Sequence, residues 1–246
     1  IFKCHIDIHT HILPPTIPDW AKKFGYSGFI HLEPENSCQA NMMIGDRFFR
    51  KVDSNCWSAD DRHKEMVETG IQKQVLSTVP VLFNYWAKAA DGYDTSRFYN
   101  DHIADVCSRH PDKFYGLGTL PMQDVDLACR ELERCIKELG MVGVEIGTHI
   151  NDWNLHEKAL FPFYKKAEEL NACIFVHPWD MMAKEKMERY WLPWLVGMPA
   201  ESSLAICSLI FGGVFGRFPK LRFAFAHGGG SFPFTIGRIK HGFDVR

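Results

Sequence analysis

The sequence predicts one α/β domain over residues 1–246, a (β/α) barrel with six of its strands in this chain. Three observations predict it. Six short apolar runs are each followed by a helical stretch, the alternation that builds a buried parallel sheet. No Gly-x-Gly-x-x-Gly follows the first run, which counts against a dinucleotide-binding sheet. Histidines close the first, fifth and sixth runs, and in a barrel those strand ends meet at one mouth, where active sites are built.

Composition sets outer bounds. With 246 residues, 46% of them hydrophobic, the chain can bury a large core. A net charge of −2 without long basic or acidic runs points to neither nucleic acid nor an anionic membrane as partner. The longest apolar stretch, 204–215, is broken by Ser208, Gly212 and Gly213 and is shorter than a bilayer span. The N-terminus lacks the layout of a signal peptide. Eight cysteines form no C-x-x-C, and Cys129, Cys135, Cys173 and Cys207 fall in core-like patterns. These features predict reduced thiols in the cytosol rather than a disulfide framework. The chain opens on Ile1 instead of Met and is expected to be an excerpt.

In the first strand, residues 3–13, apolar and polar positions alternate. Ile6, Ile8 and Ile12 face one way; Asp7, His9 and His11 face the other. Residues 14–57 are too long and polar for an ordinary strand–helix loop and predict an insertion over the barrel mouth. Within it, residues 42–49 read as a hairpin turning at Gly45-Asp46. Ser58, followed by Asp60 and Asp61, predicts the start of a helix that stops at Gly70.

From there the alternation is regular. Strands are expected over 74–79, 114–119, 142–146, 173–177 and 221–226. The helices between them are expected over 96–109, from the Asp124 cap to Gly140, over 157–170 and over 199–215, with a last one from about 232.

The chemistry follows from the histidines. His9 and His11 lie about 6–7 Å apart along one strand face, so both ring nitrogens can reach one ion. An isolated H-x-H is equally a pair of polar loop residues. His177 ends the fifth strand before Pro178 and converges on them as a third ligand. His227 opens a Gly-Gly-Gly turn that lets the backbone pass close to a ligand. A catalytic metal keeps one position open, which makes His227 a general acid/base rather than a fourth ligand.

The remaining polar residues are less determinate. Glu145, on the fourth strand, reads as an interior polar residue paired with a neighbour, with a second metal as the alternative. His149 and Asn151 read equally as mouth lining and as loop polarity. Arg50 and Arg238 lie near mouth elements and can grip carboxylates bidentately, or are surface charges. Trp179, Trp191 and Trp194 are core, or a wall for a flat conjugated substrate.

Beyond these patterns the chain resembles a known family. The blocks IDIHTHILP, FGYSGF, NCWSADDRHKEM, VLSTVPVLFNYWAK, YGLGTLPMQ, GVEIGTHIN, FVHPWDM, YWLPWLVGMPAE and FAHGGGSFPFTIGRIKHGF, in this order, are similar to the α-amino-β-carboxymuconate-ε-semialdehyde decarboxylases of the amidohydrolase superfamily. The resemblance covers nearly the whole chain. It implies one Zn2+ per subunit on His9, His11 and His177, with His227 as catalytic base. It implies substrate contacts from Arg50, Trp194 and Arg238, the last donated across a homodimer interface. The substrate would be a dicarboxylate semialdehyde of the kynurenine route of tryptophan degradation, whose decarboxylation limits quinolinate formation. The resemblance implies a TIM-type (β/α)8 barrel whose last two strands, with the family's aspartate ligand after the eighth, fall beyond residue 246. Glu145 stands where binuclear relatives hold a bridging lysine, which implies a mononuclear site. Two other readings stay open: a metal-dependent hydrolase of the same superfamily, and a catalytically inactive truncated isoform.

Overall fold

The computed structural model describes residues 4–246. Lys3, predicted to open the first strand, lies outside the described residues. In chain order, β1 (Ile6–His11) is followed by α1 (Trp20–Phe24), β2 (Ile30–Pro34), β3 (Gln39–Ile44) and β4 (Arg47–Asp53). Next come α2 (Ala59–Thr69), β5 (Lys73–Ser77), α3 (Ala89–Arg109), β6 (Phe114–Thr119), α4 (Val125–Lys137) and β7 (Gly143–Gly147). A short pair, β8 (His149–Ile150) and β9 (Trp153–Asn154), precedes α5 (Phe161–Glu169) and β10 (Cys173–His177). The chain continues through α6 (Met198–Phe211), α7 (Val214–Arg217), β11 (Arg222–Phe225) and α8 (Phe232–Val245).

Six of the strands form one sheet in the order β1–β5–β6–β7–β10–β11, every neighbouring pair parallel. Strand follows strand around the sheet with a helix after each, which is the winding of a (β/α) barrel through its sixth strand. The centre of the sheet is the best packed. All five residues of β7 are buried, and Val144 and Ile146 join Leu132, Phe163, Tyr164, Ile174 and Val176 in the largest core cluster. Gly143 lies so close to β10 that a Cβ there would stand 2.2 Å from the Cys173 carbonyl oxygen, so only glycine permits the pairing.

The seam between α3 and α4 is polar at its heart. Glu131 is fully buried on α4 and receives both forks of Arg134, Nε at 2.9 Å and a terminal nitrogen at 2.7 Å. Asn100 of α3 donates to the same carboxylate at 2.8 Å and to the Thr119 carbonyl at 2.9 Å, while its own oxygen accepts from Thr119 N. One carboxylate thus ties two helices to β6.

The helix starts follow capping chemistry. Ser58 Oγ accepts from Asp61 N and Asp124 from Leu127 N, and α2 ends on a left-handed Gly70. Several predicted boundaries moved. Helix α3 begins at Ala89, earlier than expected, because Gly92 is a packing glycine inside it: a Cβ there would meet Gln123 Nε2 at 2.4 Å. The helix predicted over 199–215 divides into α6 and α7 where Gly213 turns left-handed. Helix α5 is preceded by a 3-10 turn, Lys158–Leu160.

A π-helical turn, Pro193–Gly197, runs into α6 to give the stretch Pro193–Phe211, 19 residues long and apolar enough by length to cross a bilayer. That stretch exceeds the apolar run read from the sequence. Glu201, Ser202, Ala205, Ile206 and Leu209 are nevertheless buried, the one-sided pattern of a helix packed on a sheet.

Residues 14–57 hold their own three-stranded antiparallel sheet, β2–β3–β4, with the predicted turn at Gly45-Asp46. Strand β2 and helix α1 were not anticipated. Among the described residues, Ile6 and Ile8 of β1 and Phe234 of α8 remain exposed, and α8 buries none of its side chains.

Candidate active site

His9 and His11 reach the end of β1, His177 ends β10, and His227 follows β11, so the parallel winding delivers all four to one place. Ring centroids are 5.1 Å apart for His9–His11, 5.0 Å for His9–His177 and 4.8 Å for His177–His227. His9–His227 and His11–His177 are each 5.1 Å. The tightest donor set is His9, His177 and His227, whose ligating nitrogens all lie within 4.8 Å of one another. Geometry alone therefore brings His227 as near a common ion as the predicted ligands.

Hydrogen bonds set which nitrogen faces the cluster. His11 Nδ1 lies 2.9 Å from the Thr78 carbonyl and 3.1 Å from Ser77 Oγ, and His177 Nδ1 lies 2.7 Å from the Pro178 carbonyl. A carbonyl only accepts, so each Nδ1 carries the proton and each Nε2 keeps its lone pair for a ligand. Burial and then the neighbouring His9 push the pKa of His11 down to about 3. Burial and then His11 push His177 down to about 2. His9 is lowered by burial and by His227, and His227 by burial. The rings are neutral, which is the state that binds a metal. This set of converging imidazoles fits a single divalent cation.

His227 sits on strained backbone, at φ 53, ahead of three glycines that also take positive φ. Gly230 has no room for a side chain, because a Cβ would lie 2.4 Å from the Pro199 carbonyl oxygen. The His227 ring makes no hydrogen bond to protein among the described residues.

One cavity of about 620 Å³ holds these four histidines together with Arg50 and Trp194. The Arg50 guanidinium stands 6.0 Å from the Trp194 ring, and Trp191 stacks on Trp194 at 5.3 Å. The tryptophans at 191 and 194 are thus wall, while Trp179 also packs edge-on against the buried Tyr85. Arg238 is elsewhere in this chain, lining a separate cavity with Phe211 and Phe243. His149 and Asn151 serve the loops: His149 bonds the Asn151 and Asp180 carbonyls, and Asn151 donates to the Tyr85 carbonyl.

Glu145 corrects an expectation. It is interior, as predicted, but not paired: neither carboxylate oxygen has a hydrogen-bond partner among the described residues, and His11 Nδ1 is 3.9 Å away. Burial holds its carboxyl well above the usual range, with Ser77 pulling weakly the other way. A neutral acid needs no counter-charge. Ser77, Thr78, Asp180 and Lys184 were not singled out from the sequence. Only the position of Ser77 and Thr78 at the end of a barrel strand could have flagged the first two.

The amidohydrolase family model matches residues 6–245. The chain belongs to the amidohydrolase family. It is 56% identical over 241 residues to the 2-amino-3-carboxymuconate-6-semialdehyde decarboxylase of Dictyostelium discoideum, a match covering 98% of this chain and 67% of that relative. Among solved structures, the amidohydrolase fold here is similar to the apo IDCase of Metarhizium anisopliae, with a TM-score of 0.83 at 23% identity over 99% of this chain and 70% of that one. It is also similar to a 5-carboxyvanillate decarboxylase from Novosphingobium aromaticivorans solved with bound manganese. That match has a TM-score of 0.72 at 26% identity, covering 78% of this chain and 57% of the other. This amidohydrolase is a member of the family's decarboxylase branch.

Proposed function

We propose that the chain decarboxylates 2-amino-3-carboxymuconate 6-semialdehyde at a single zinc ion, in the kynurenine route of tryptophan degradation. The observation that carries the reading is the convergence of four neutral histidines with Arg50 and Trp194 in one cavity. The identity to the Dictyostelium decarboxylase supports the substrate. Imidazole donors suit zinc, and the manganese in the Novosphingobium structure supports a divalent ion at this type of site. When bound, such an ion acts as a Lewis acid on water and carboxylate oxygens.

The chain's own residues do the rest. His9, His11 and His177 hold the ion, the last two with Nε2 aimed by their Nδ1 bonds. Arg50 grips one substrate carboxylate through its fork, and Trp194 lies flat against the conjugated system. Breaking the C3–carboxylate bond releases CO₂ and leaves its electron pair on carbon, which a proton must take up. His227, neutral and with an uncommitted ring, takes a proton from water and passes it to that carbon at the cavity wall. Arg238 contributes from the second subunit of a homodimer, and eight free thiols support a cytosolic setting.

The test is CO₂ release from this substrate by the zinc-loaded protein, with amide and ester hydrolysis run alongside. Turnover in the first and none in the second is expected. His227→Ala should keep its metal and lose roughly 10²–10⁴-fold in turnover. Hydrolysis without CO₂ release, or loss of metal in that variant, would overturn the assignment.

A further inference from the structure

His149 differs in one respect from the histidines of the cluster. His11 and His177 each set one ring nitrogen against a carbonyl and leave the other free. His149, just past β7, sets both against carbonyls. Its Nδ1 lies 2.8 Å from the Asn151 oxygen and its Nε2 2.8 Å from the Asp180 oxygen. A carbonyl oxygen only accepts, and a neutral imidazole carries a single N–H. Two such bonds need a proton on each nitrogen, so the ring is an imidazolium. In a neutral ring one lone pair would face a carbonyl oxygen at 2.8 Å, and that bond would be lost. The surroundings suit the charge. Asp152 and Asp180 line the same cavity of about 430 Å³, against one ammonium, that of Lys184, which pairs with Asp180. The buried Glu201 accepts from the hydroxyl of the adjoining Thr148. The Trp179 ring lies 5.3 Å from the His149 ring, close enough for its π-face to attract a cation.

The two bonds end on different segments. Asn151 lies in the turn between β8 and β9, whereas Asp180 lies in the segment that leaves β10. Trp179, Asp180 and Met181 of that segment line the histidine cavity. The segment does not hold its own shape: Ala183 is left-handed at φ 52 with no side-chain cap, a conformation that surroundings impose on a residue with a Cβ. Its other ties are Trp179 Nε1 to the His149 carbonyl at 2.9 Å and Met182 N to Glu201 at 2.7 Å. Gly147 clears the way, since a Cβ there would stand 2.4 Å from Trp179 Cδ1. We propose that His149 is a positioning residue, a doubly protonated clasp that fixes the cavity wall 179–182 against the end of β7. A ring that gives up one proton keeps one bond of the two, so the wall is fully tied only while the ring is charged. The clasp is the same whether the cavity releases CO₂ or hydrolyses an amide.

The test reads the ring directly, in metal-loaded protein with nitrogen-15 in its histidines. At pH 7 both ring nitrogens of His149 should resonate as protonated N–H, the assignment coming from the signal that a variant at this position loses. Two variants separate the bonds. His149→Gln keeps an amide N–H near the Nε2 position and with it the Asp180 bond, whereas His149→Asn keeps one near Nδ1 only. Amide hydrogen exchange over 179–186 should speed up about tenfold in His149→Asn and stay within about threefold of wild type in His149→Gln. Exchange in β5 and β6 is the control for folding and should not change. A bare ring nitrogen in the wild type, equal effects of the two variants, or no change in His149→Asn would each overturn the proposal. Where one variant fails the folding control, the wild-type signature, assigned with the other, decides. Turnover is not read, so a protein that releases no CO₂ would sink the functional reading and leave the clasp in place, and a bare nitrogen would do the reverse.

Discussion

Glu131 and Glu145 are both fully buried glutamates, and they are treated in opposite ways. Glu131, in the α3–α4 seam, receives three hydrogen bonds, two from Arg134 and one from Asn100. The benefit shows on the partner: Glu131, ahead of Asp101, raises the Arg134 pKa against the opposing pull of burial. Glu145, in the barrel interior beside His11, has no hydrogen-bond partner among the described residues, and burial holds its carboxyl well above the usual carboxylate range. A carboxylate that stabilises the fold is saturated with donors. One left bare among histidines belongs to a centre arranged for something other than stability.

The comparison can be broken most forcefully at the barrel centre. His177→Ala should abolish stoichiometric metal binding, since a three-imidazole site loses most of its affinity with one ligand. Metal analysis after dialysis measures this, and full occupancy would remove His177 from the ligand set. At the seam, Glu131→Ala leaves Arg134 with Asp101 as its remaining carboxylate partner and should cost about 1.5–3 kcal/mol in urea unfolding. Metal content of the folded fraction should not change, and a loss below about 1 kcal/mol would mean the saturated carboxylate is not a structural tie.

Acid sharpens the contrast further. The folded pKa values of His11 and His177 lie near 3 and 2, below the 6.5 of the free side chain, so between those limits the unfolded chain binds more protons. The metal-free protein should therefore keep this stability above pH 6.5. Below it, the loss should approach about 1.4 kcal/mol per pH unit for each histidine. Unfolding free energies measured from pH 7 to 5 in chelator would show a flat profile if the rings were already charged when folded.

The smallest effect is expected at Glu145→Gln. It swaps a neutral acid for a neutral amide of the same shape, so stability should move by less than about 1 kcal/mol. A loss as large as that of Glu131→Ala would show that Glu145 is ionised and paired after all.

Much of the site was legible because its signals are local. Period-two alternation put His9 and His11 on one face, and the parallel winding required His177 and His227 to arrive beside them. What escaped has physical causes. The helix was expected from 96, but Gly92 lies inside it, where its missing side chain makes room for Gln123. Ala183 carries a left-handed turn that no alanine advertises, so the placement of Lys184 was unreadable. Strand β2 carries His31, Glu33 and Pro34 among its five residues, and that composition hid it. The pairing expected of Glu145 depended on neighbours brought in by other strands, and none within hydrogen-bond reach of its carboxylate is found among the described residues.

Arg50 belongs to β4, whose only strand partner among the described residues is β3, and no hydrogen bond of the parallel sheet runs through it. The residue proposed to grip the acid and those proposed to transform it thus lie in separate backbone frameworks. A lineage carrying this fold can redraw the antiparallel hairpin, and with it the menu of acids admitted, without disturbing the register that assembles the histidines. Selection for a new diet and selection for the old chemistry would then act on different stretches of the gene.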